Sequence, residues 1–383
     1  MTKIEMSKEK KETILIAFII PSMGDGGSNK FMLRVAQGMV KRGFLVDLIV
    51  IDGRGQYADY SYEGVRRFTI TPVSGKGLTV AKTLWYLIKY NKAEQPNIIM
   101  SATTAVNIIT LAASRLFLNQ PSVIVSERNA IRQSTLAASG TSKYYEKAIS
   151  LLYQKATKII VVSNGVKNEL IDYYGLKADM VKVIYNPVVS DCLQRLSEEP
   201  VLDSWYQDCK VPVILSVGRL HSQKDFKTLI EGFSLLRKNM NARLMILGEG
   251  SMRQELEELV RAYDLTEHVR MPGFKPNPYA YMSKASLFVM TSVYEGVCNV
   301  IIEALACGCP VVATDCAGGG PSEILDKGAW GKLVPVADVK KLSLAMEESL
   351  QSEHDSSSYV ARASFFSVDK GMNKYEKLFR SLA

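Results

Sequence analysis

Short Val/Ile-rich runs alternate with longer amphipathic segments along the whole chain. A chain so patterned buries its strands in parallel sheets with helices on both faces. In the first half, strands are predicted at Ile14–Ile20, Leu45–Ile51, Asn97–Ser101, Ser122–Ser126, Lys158–Val162 and Val181–Tyr185. Helices are predicted near Ser28–Lys41, Thr79–Asn91, Ala105–Phe117, Lys143–Lys155 and Asn164–Tyr174. The rhythm restarts with strands at Val213–Val217, Arg243–Leu247, Val269–Met271, Leu287–Met290 and Val311–Ala313, and helices at Lys224–Lys238, Ser251–Ala262, Val300–Cys307 and Asp338–Ser349. At 383 residues the chain exceeds one ordinary core. The expected architecture is therefore α/β, with two Rossmann-like doubly wound parallel-sheet domains facing across a cleft. The stretch Asn186–Val211 carries two prolines and no clean period, and it reads as the linker. The expected division is 1–190, 191–355 and a helical, basic-aromatic tail at 356–383, free to pack back on the first domain.

Charge is distributed unevenly: residues 1–190 hold 25 basic and 14 acidic side chains, the remainder 22 and 25, so the halves stand near +11 and −3. The basic half calls for an acidic partner. Nucleic acid is not expected, because no zinc-finger spacing, basic zipper or ribonucleoprotein motif accompanies the charge. Cysteines stand at 192, 209, 298, 307, 309 and 316, with no C-x-x-C among them, and read as reduced, buried residues. The apolar run Ile14–Ile20 is short and leads into a Gly-rich loop, so it reads as a first strand rather than a signal peptide. No run of about 18 apolar residues occurs, and the chain is expected to be cytoplasmic.

After the first strand comes Gly24-Asp25-Gly26-Gly27-Ser28-Asn29-Lys30, opening a helix with apolar residues at 31, 32, 35, 36 and 39. Glycines allow close backbone approach, and a helix N-terminus offers free amides to a phosphate. A simple turn would also tolerate them. The loop is not G-x-G-x-x-G, although Asp52 at the next strand's end keeps a nicotinamide site open.

The second half is more specific. Beyond Val217, Arg219 and Lys224 stand on the turn before a helix, where an Arg fork and a Lys point charge suit a diphosphate; each could equally be a solvated loop residue. In Ser292–Pro310 two glutamates lie eight positions apart, Glu295 on a Gly-containing loop and Glu303 among Val300, Ile301, Ile302, Ala304 and Leu305. A carboxylate in such company needs donors, which a ribose diol or a neighbouring loop would supply. The amides around Asn299 and Val300 could hold phosphate.

Glu295-Gly296 with Glu303, together with Gly218-Arg219-Leu220 and Lys224, resembles the family-four retaining glycosyltransferases of the GT-B fold, including those of bacterial cell-surface polysaccharide and lipid-linked glycan synthesis. Leu247–Gly250, Pro272–Phe274, Ala306–Thr314 and Gly319–Ile324 add to the resemblance, which is strong over about 213–345. It implies that the first domain binds the acceptor and the second the nucleotide-sugar donor. Arg219 and Lys224 would hold the diphosphate, Glu295 would stand beside the donor sugar, and Glu303 would bind the ribose. The remaining donor contacts would come from Gly26, Gly27, Gly218, Gly273, Phe274, Gly296, Asn299 and Val300. Many members carry a His after the strand ending near residue 126. Here the segment is Glu127-Arg128-Asn129, so either Arg128 or Glu127 takes its place.

The implied reaction is transfer of a hexosyl or N-acetylhexosaminyl group to a glycan hydroxyl with retention, the leaving phosphate acting as base. A UDP-sugar is expected ahead of a GDP-sugar. No D-x-D occurs, so no metal and no other cofactor is expected, with Arg219, Lys224 and the helix dipole neutralising the leaving group. Lys143, Lys147, Lys155 and Lys158 with Tyr144, Tyr145 and Tyr153 form one basic-aromatic patch, and Trp85, Tyr86, Lys89, Tyr90 and Lys92 a second. Ordinary solvated faces would look similar, but with the +11 half they suggest peripheral attachment to an anionic inner membrane face and a lipid-diphosphate-linked acceptor. Competing readings are a non-catalytic glycan-binding subunit, a sugar-nucleotide epimerase and a dehydrogenase.

Overall fold

The computed structural model describes residues 13–24, 26–71, 75–133, 142–207 and 210–383. The first sheet has seven strands: β1 (Leu15–Ser22), β2 (Leu45–Asp52), β3 (Val65–Thr69), β4 (Ile98–Ala102), β5 (Ser122–Glu127), β6 (Lys158–Val161) and β7 (Val181–Val183), in the order β3-β2-β1-β4-β5-β6-β7. The second has six: β8 (Val213–Val217), β9 (Arg243–Leu247), β10 (Val269–Gly273), β11 (Leu287–Met290), β12 (Val311–Thr314) and β13 (Lys332–Val334), ordered β10-β9-β8-β11-β12-β13. Strands pair in parallel, as β1 does with β2 and β8 with β9. Both orders reverse direction beside their first strand, which is the doubly wound Rossmann-like arrangement expected.

The central strands are apolar on both faces because helices cover both. Ile16–Ile20 of β1 and Ile214–Leu215 of β8 are fully buried. The strands not anticipated are β3 and β13, both at sheet edges, where a short strand need not be apolar. In β3 the sequence reads V-R-R-F-T, and Arg66 forks the buried carboxylate of Asp47 in β2 at 2.7 and 2.8 Å. The stretch Asn186–Val211 also departs from expectation by holding short helices at Asp191–Ser197 and Ser204–Gln207. Ser190 caps the first of these through the amide of Leu193.

Contacts divide the chain into two compact units. One comprises the residues up to Ser126 with Ala148–Ile159 and Met372–Ala383; the other comprises Glu127–Lys147 and Ile160–Gly371. In the first unit the final helix, Val368–Arg380, inserts Tyr375 and Phe379 into the core beside Phe18, Phe31 and Phe44. In the second, Phe226, Leu229, Ile230 and Phe233 of the helix Phe226–Leu236 pack one face of the sheet, and Ile301, Ile302 and Leu305 pack with residues of the other. Among the described residues, no helix is long and apolar enough to cross a membrane.

Candidate active site

In the second unit, β8 lies between β9 and β11, so the chain leaves β8 toward one side and returns to the other. Loops departing from the carboxyl ends of such a strand pair diverge and leave a crevice for a ligand. Here those loops are Gly218–Lys224 and Thr291–Cys298, the two segments singled out in the sequence. They are stitched together: Val293 donates its amide to Gln223 O at 2.9 Å, Gln223 Nε2 donates to Tyr294 O at 2.9 Å, and Thr291 Oγ1 donates to Lys224 O at 2.8 Å.

Within this frame Lys224 Nζ donates to Glu295 Oε1 at 2.5 Å, and Ser292 Oγ donates to the same oxygen at 3.0 Å. Both partners are largely buried, with side chains 18% and 11% exposed. Burial alone would lower the Lys224 pKa, but the Glu295 carboxylate outweighs it and holds the ammonium above its ordinary value. Lys224 is therefore a fixed cation at neutral pH. Arg219 stands five residues earlier on the same loop, exposed, and its guanidinium makes no hydrogen bond or ion pair among the described residues. Gly218 sits at the root of the loop, its amide on Leu247 O at 3.0 Å.

The helix Asn299–Ala306 begins at Asn299, with Val300 next, as expected. No acidic side chain occupies its first turn, so its amides present uncompensated partial positive charge. Glu303 is only partly buried, which corrects the expectation of a deeply enclosed carboxylate: it lies on the helix face toward Tyr279, whose hydroxyl donates to Oε1 at 3.5 Å. Gly273 closes β10, its carbonyl accepting from Gly248 N at 3.0 Å, and Phe274 beside it is 59% exposed.

Gly296 has a packing reason of its own. A Cβ there would lie 2.5 Å from Arg128 O, so the loop bearing Glu295 rests directly on the Arg128 backbone. The motif Gly319–Ile324 supports the same loop: Glu295 N donates to Ala317 O at 2.9 Å, and a Cβ on Gly320 would meet Gly296 O at 2.6 Å. Glu323 accepts from Gly165 N at 3.1 Å and Tyr185 OH at 2.8 Å, tying that motif to the helix start at Asn164. Glu127 is 2% exposed at the end of β5. Arg128 hydrogen-bonds Asn186, which sequence reasoning did not single out. Ser292, Thr291 and Asn186 were missed because a lone hydroxyl or amide outside a motif carries no signal until its partner is known.

In the first unit, Gly26 caps the helix Gly27–Val40 at φ −67°. A Cβ would meet nothing nearer than 3.7 Å at Gly26 and nothing within 4 Å at Gly27, so backbone geometry does not require glycine at either. Asp52, the acid that kept a nicotinamide site open, is bound by Arg54 at 2.6 and 2.9 Å, and that bond holds its carboxyl below the usual range. Tyr90 and Tyr153, expected on basic-aromatic surfaces, are core residues instead: Tyr90 donates to buried Asp47, and Tyr153 is bonded to Asn107 at 3.2 Å. Trp85 is 56% exposed, with Lys89 Nζ 3.8 Å from its ring centre. The Lys143 side chain lies outside the described residues, as do Asp25 and Cys209. Cys298, Cys309 and Cys316 are buried and unpaired by disulfide, and burial pushes the Cys316 thiol up to about 12. Cys192 is exposed, against expectation.

Two family models cover most of the chain: "Glycosyltransferase Family 4" matches residues 25–191 and "Glycosyl transferases group 1" matches 204–364. The chain is 34% identical over 215 residues to the N-acetylgalactosamine-N,N'-diacetylbacillosaminyl-diphospho-undecaprenol 4-alpha-N-acetylgalactosaminyltransferase of Campylobacter jejuni, a match that spans 56% of each chain, so it covers about half the length of that relative. It is 27% identical to a lipopolysaccharide core biosynthesis glycosyltransferase of Rhizobium meliloti over 85% of both chains. In fold it is similar to the Anabaena protein HepE in complex with UDP, at a TM-score of 0.76 and 21% identity, over 96% of this chain and all of that one. With its two parallel sheets, its cation and carboxylate loops at the second switch point and its consecutive family matches, the chain belongs to the family 4, group 1 glycosyltransferases of the GT-B fold.

Proposed function

We propose that the protein transfers a sugar from a nucleoside-diphosphate sugar to a hydroxyl of a lipid-diphosphate-linked glycan, with retention of configuration, during assembly of a bacterial cell-surface polysaccharide. The observation that carries this reading is the Lys224–Glu295 pair beside exposed Arg219, at the switch point of the second sheet. In the reaction the bond from the anomeric carbon to the diphosphate oxygen breaks and a bond to the acceptor oxygen forms. The acceptor proton passes to the departing phosphate on the same face. Negative charge grows on that phosphate as the ring gains oxocarbenium character, so cations held in place beside it bind the transition state more tightly than the ground state. Lys224 is pre-positioned by Glu295, Arg219 adds a fork for two oxygens, and the Asn299 helix start adds amide dipoles. Each fixed donor of this kind contributes about 3 kcal/mol. Glu303 takes the ribose hydroxyls. Neutralisation by these groups makes a metal unnecessary.

A UDP-sugar is favoured as donor, and the UDP complex of a protein of similar fold supports testing UDP first. The named acceptor of the Campylobacter relative, an undecaprenyl-diphosphate-linked glycan, supports a lipid-diphosphate acceptor here. Glycan transfer is measured with purified protein, a panel of sugar nucleotides and lipid-diphosphate-linked acceptors. K224A and E295A are each expected to lose transfer while unfolding as cooperatively as the parent. Full activity in both purified variants would sink the assignment. Release of an epimerised sugar nucleotide without acceptor would instead establish the epimerase reading.

A further inference from the structure

Arg128 lies on the segment that follows β5, and its immediate surroundings give its side chain a fixed orientation. Its Nη2 donates to Asn186 Oδ1, and Asn186 Nδ2 donates in turn to Asn299 Oδ1 at 2.7 Å. Asn186 is 9% exposed, and Asn299 is the first residue of the helix whose amides face the proposed diphosphate. The Arg128 backbone meanwhile lies against Gly296, next to Glu295. Three side chains from three separate segments thus form one directed chain ending at the phosphate-binding helix start. An amide is suited to the middle place because its carbonyl accepts from a cation while its NH2 donates onward.

We propose that Asn186 is a positioning residue: by holding the Arg128 guanidinium and the Asn299 side chain together, it makes Arg128 a third cation, with Arg219 and Lys224, for the nucleoside diphosphate. This rests on the donor site assigned above. A neutral amide orients the guanidinium without cancelling its charge, as a carboxylate at 186 would. A charged donor held by a hydrogen bond to a neutral acceptor keeps its attraction for a phosphate.

The test is a double-mutant cycle read by calorimetric titration of UDP and of GDP, with thermal melts as a folding control. R128A is expected to weaken nucleotide binding about tenfold, the order of one charged hydrogen bond. N186A should lose a similar factor, and R128A/N186A should be little weaker than either alone. N186D, which keeps the acceptor but cancels the cation, should bind as poorly as N186A while melting like the parent. Additive effects, or parent-like nucleotide affinity in folded N186A and N186D, would overturn the proposal. K224A separates the two levels. If K224A weakens binding and N186A does not, the donor site stands and the Asn186 role fails; if neither weakens it, the donor site itself is misplaced.

Discussion

At Asp225 the backbone enters the left-handed region, φ 46° and ψ 49°, one residue after Lys224. Such a conformation costs a non-glycine residue about 1–2 kcal/mol. Asp recovers part of this by capping the helix Phe226–Leu236, accepting from Thr228 N at 3.3 Å and Thr228 Oγ1 at 2.7 Å. The turn so formed sets Lys224 against Glu295. D225G, which removes the left-handed cost together with the side-chain cap, should therefore keep most activity and melt within about 1 kcal/mol of the parent, whereas D225V, β-branched and uncapped, should lose both stability and activity; melts and transfer rates distinguish them. The Lys224–Glu295 pair also has a defined pH signature. Because Lys224 is held above its ordinary pKa, its contribution to stability is complete at neutral pH and disappears only as alkali deprotonates it in the folded state. Melting temperature in the parent, relative to K224A, should show no loss of this contribution between pH 6 and 9 and a decline in strong alkali.

The final helix illustrates what an element can do at long range in sequence. Tyr375 and Phe379 are fully buried, and Phe379 packs edge-on to Phe18 and Phe44 at 6.1 and 6.3 Å. Arg42 pairs with Glu376 at 3.2 Å, and Arg380 lies 4.6 Å over the Phe44 ring. The first unit's core is thus completed by the chain's last twelve residues, Met372–Ala383. F379A should cost about 3–5 kcal/mol, the usual range for deleting a buried aromatic. Removing Met372–Ala383 should lower solubility and melting temperature more than any surface truncation. A truncated protein ending at Gly371 that melts like the full chain would contradict this account.

Over the whole molecule the +11 and −3 halves take on separate roles in the proposed reaction. In that proposal the basic half takes the anionic, lipid-linked acceptor, and the mildly acidic half would concentrate a few cations at the donor phosphates. Exposed Leu78 and Trp85 on the helix Lys76–Glu94, together with Leu116 and Leu118, give the first unit apolar side chains beside basic ones. Flotation with liposomes containing anionic lipid should therefore retain the protein at low salt and release it as salt rises, each nearby Lys contributing up to about 1 kcal/mol. No flotation at low salt would remove the membrane assignment. Transfer activity should survive EDTA if, as proposed, Arg219, Lys224 and the helix amides neutralise the leaving diphosphate.

Periodicity made most central strands and helices legible, because burial on both faces of a parallel sheet demands apolar runs whatever the partners. β3 and β13 escaped it, since an edge strand is held by backbone pairing and by single contacts such as Arg66 to Asp47. The candidate site was legible where charge and glycine cluster locally, on the loops of Arg219 and Lys224 and of Glu295 and Gly296, which the fold brings together. It was not legible at Ser292, Thr291 and Asn186, whose roles exist only through partners on other segments. By itself the amino-acid sequence determined two doubly wound sheets, the cation and carboxylate loops and the family they belong to, because short-range spacing encodes all three. Only tertiary structure decided that Glu303 is partly open, that Tyr90 and Tyr153 are core residues, that the tail completes the first core, and that Asn186 joins Arg128 to Asn299. Those outcomes depend on which segments meet, and no local pattern specifies that.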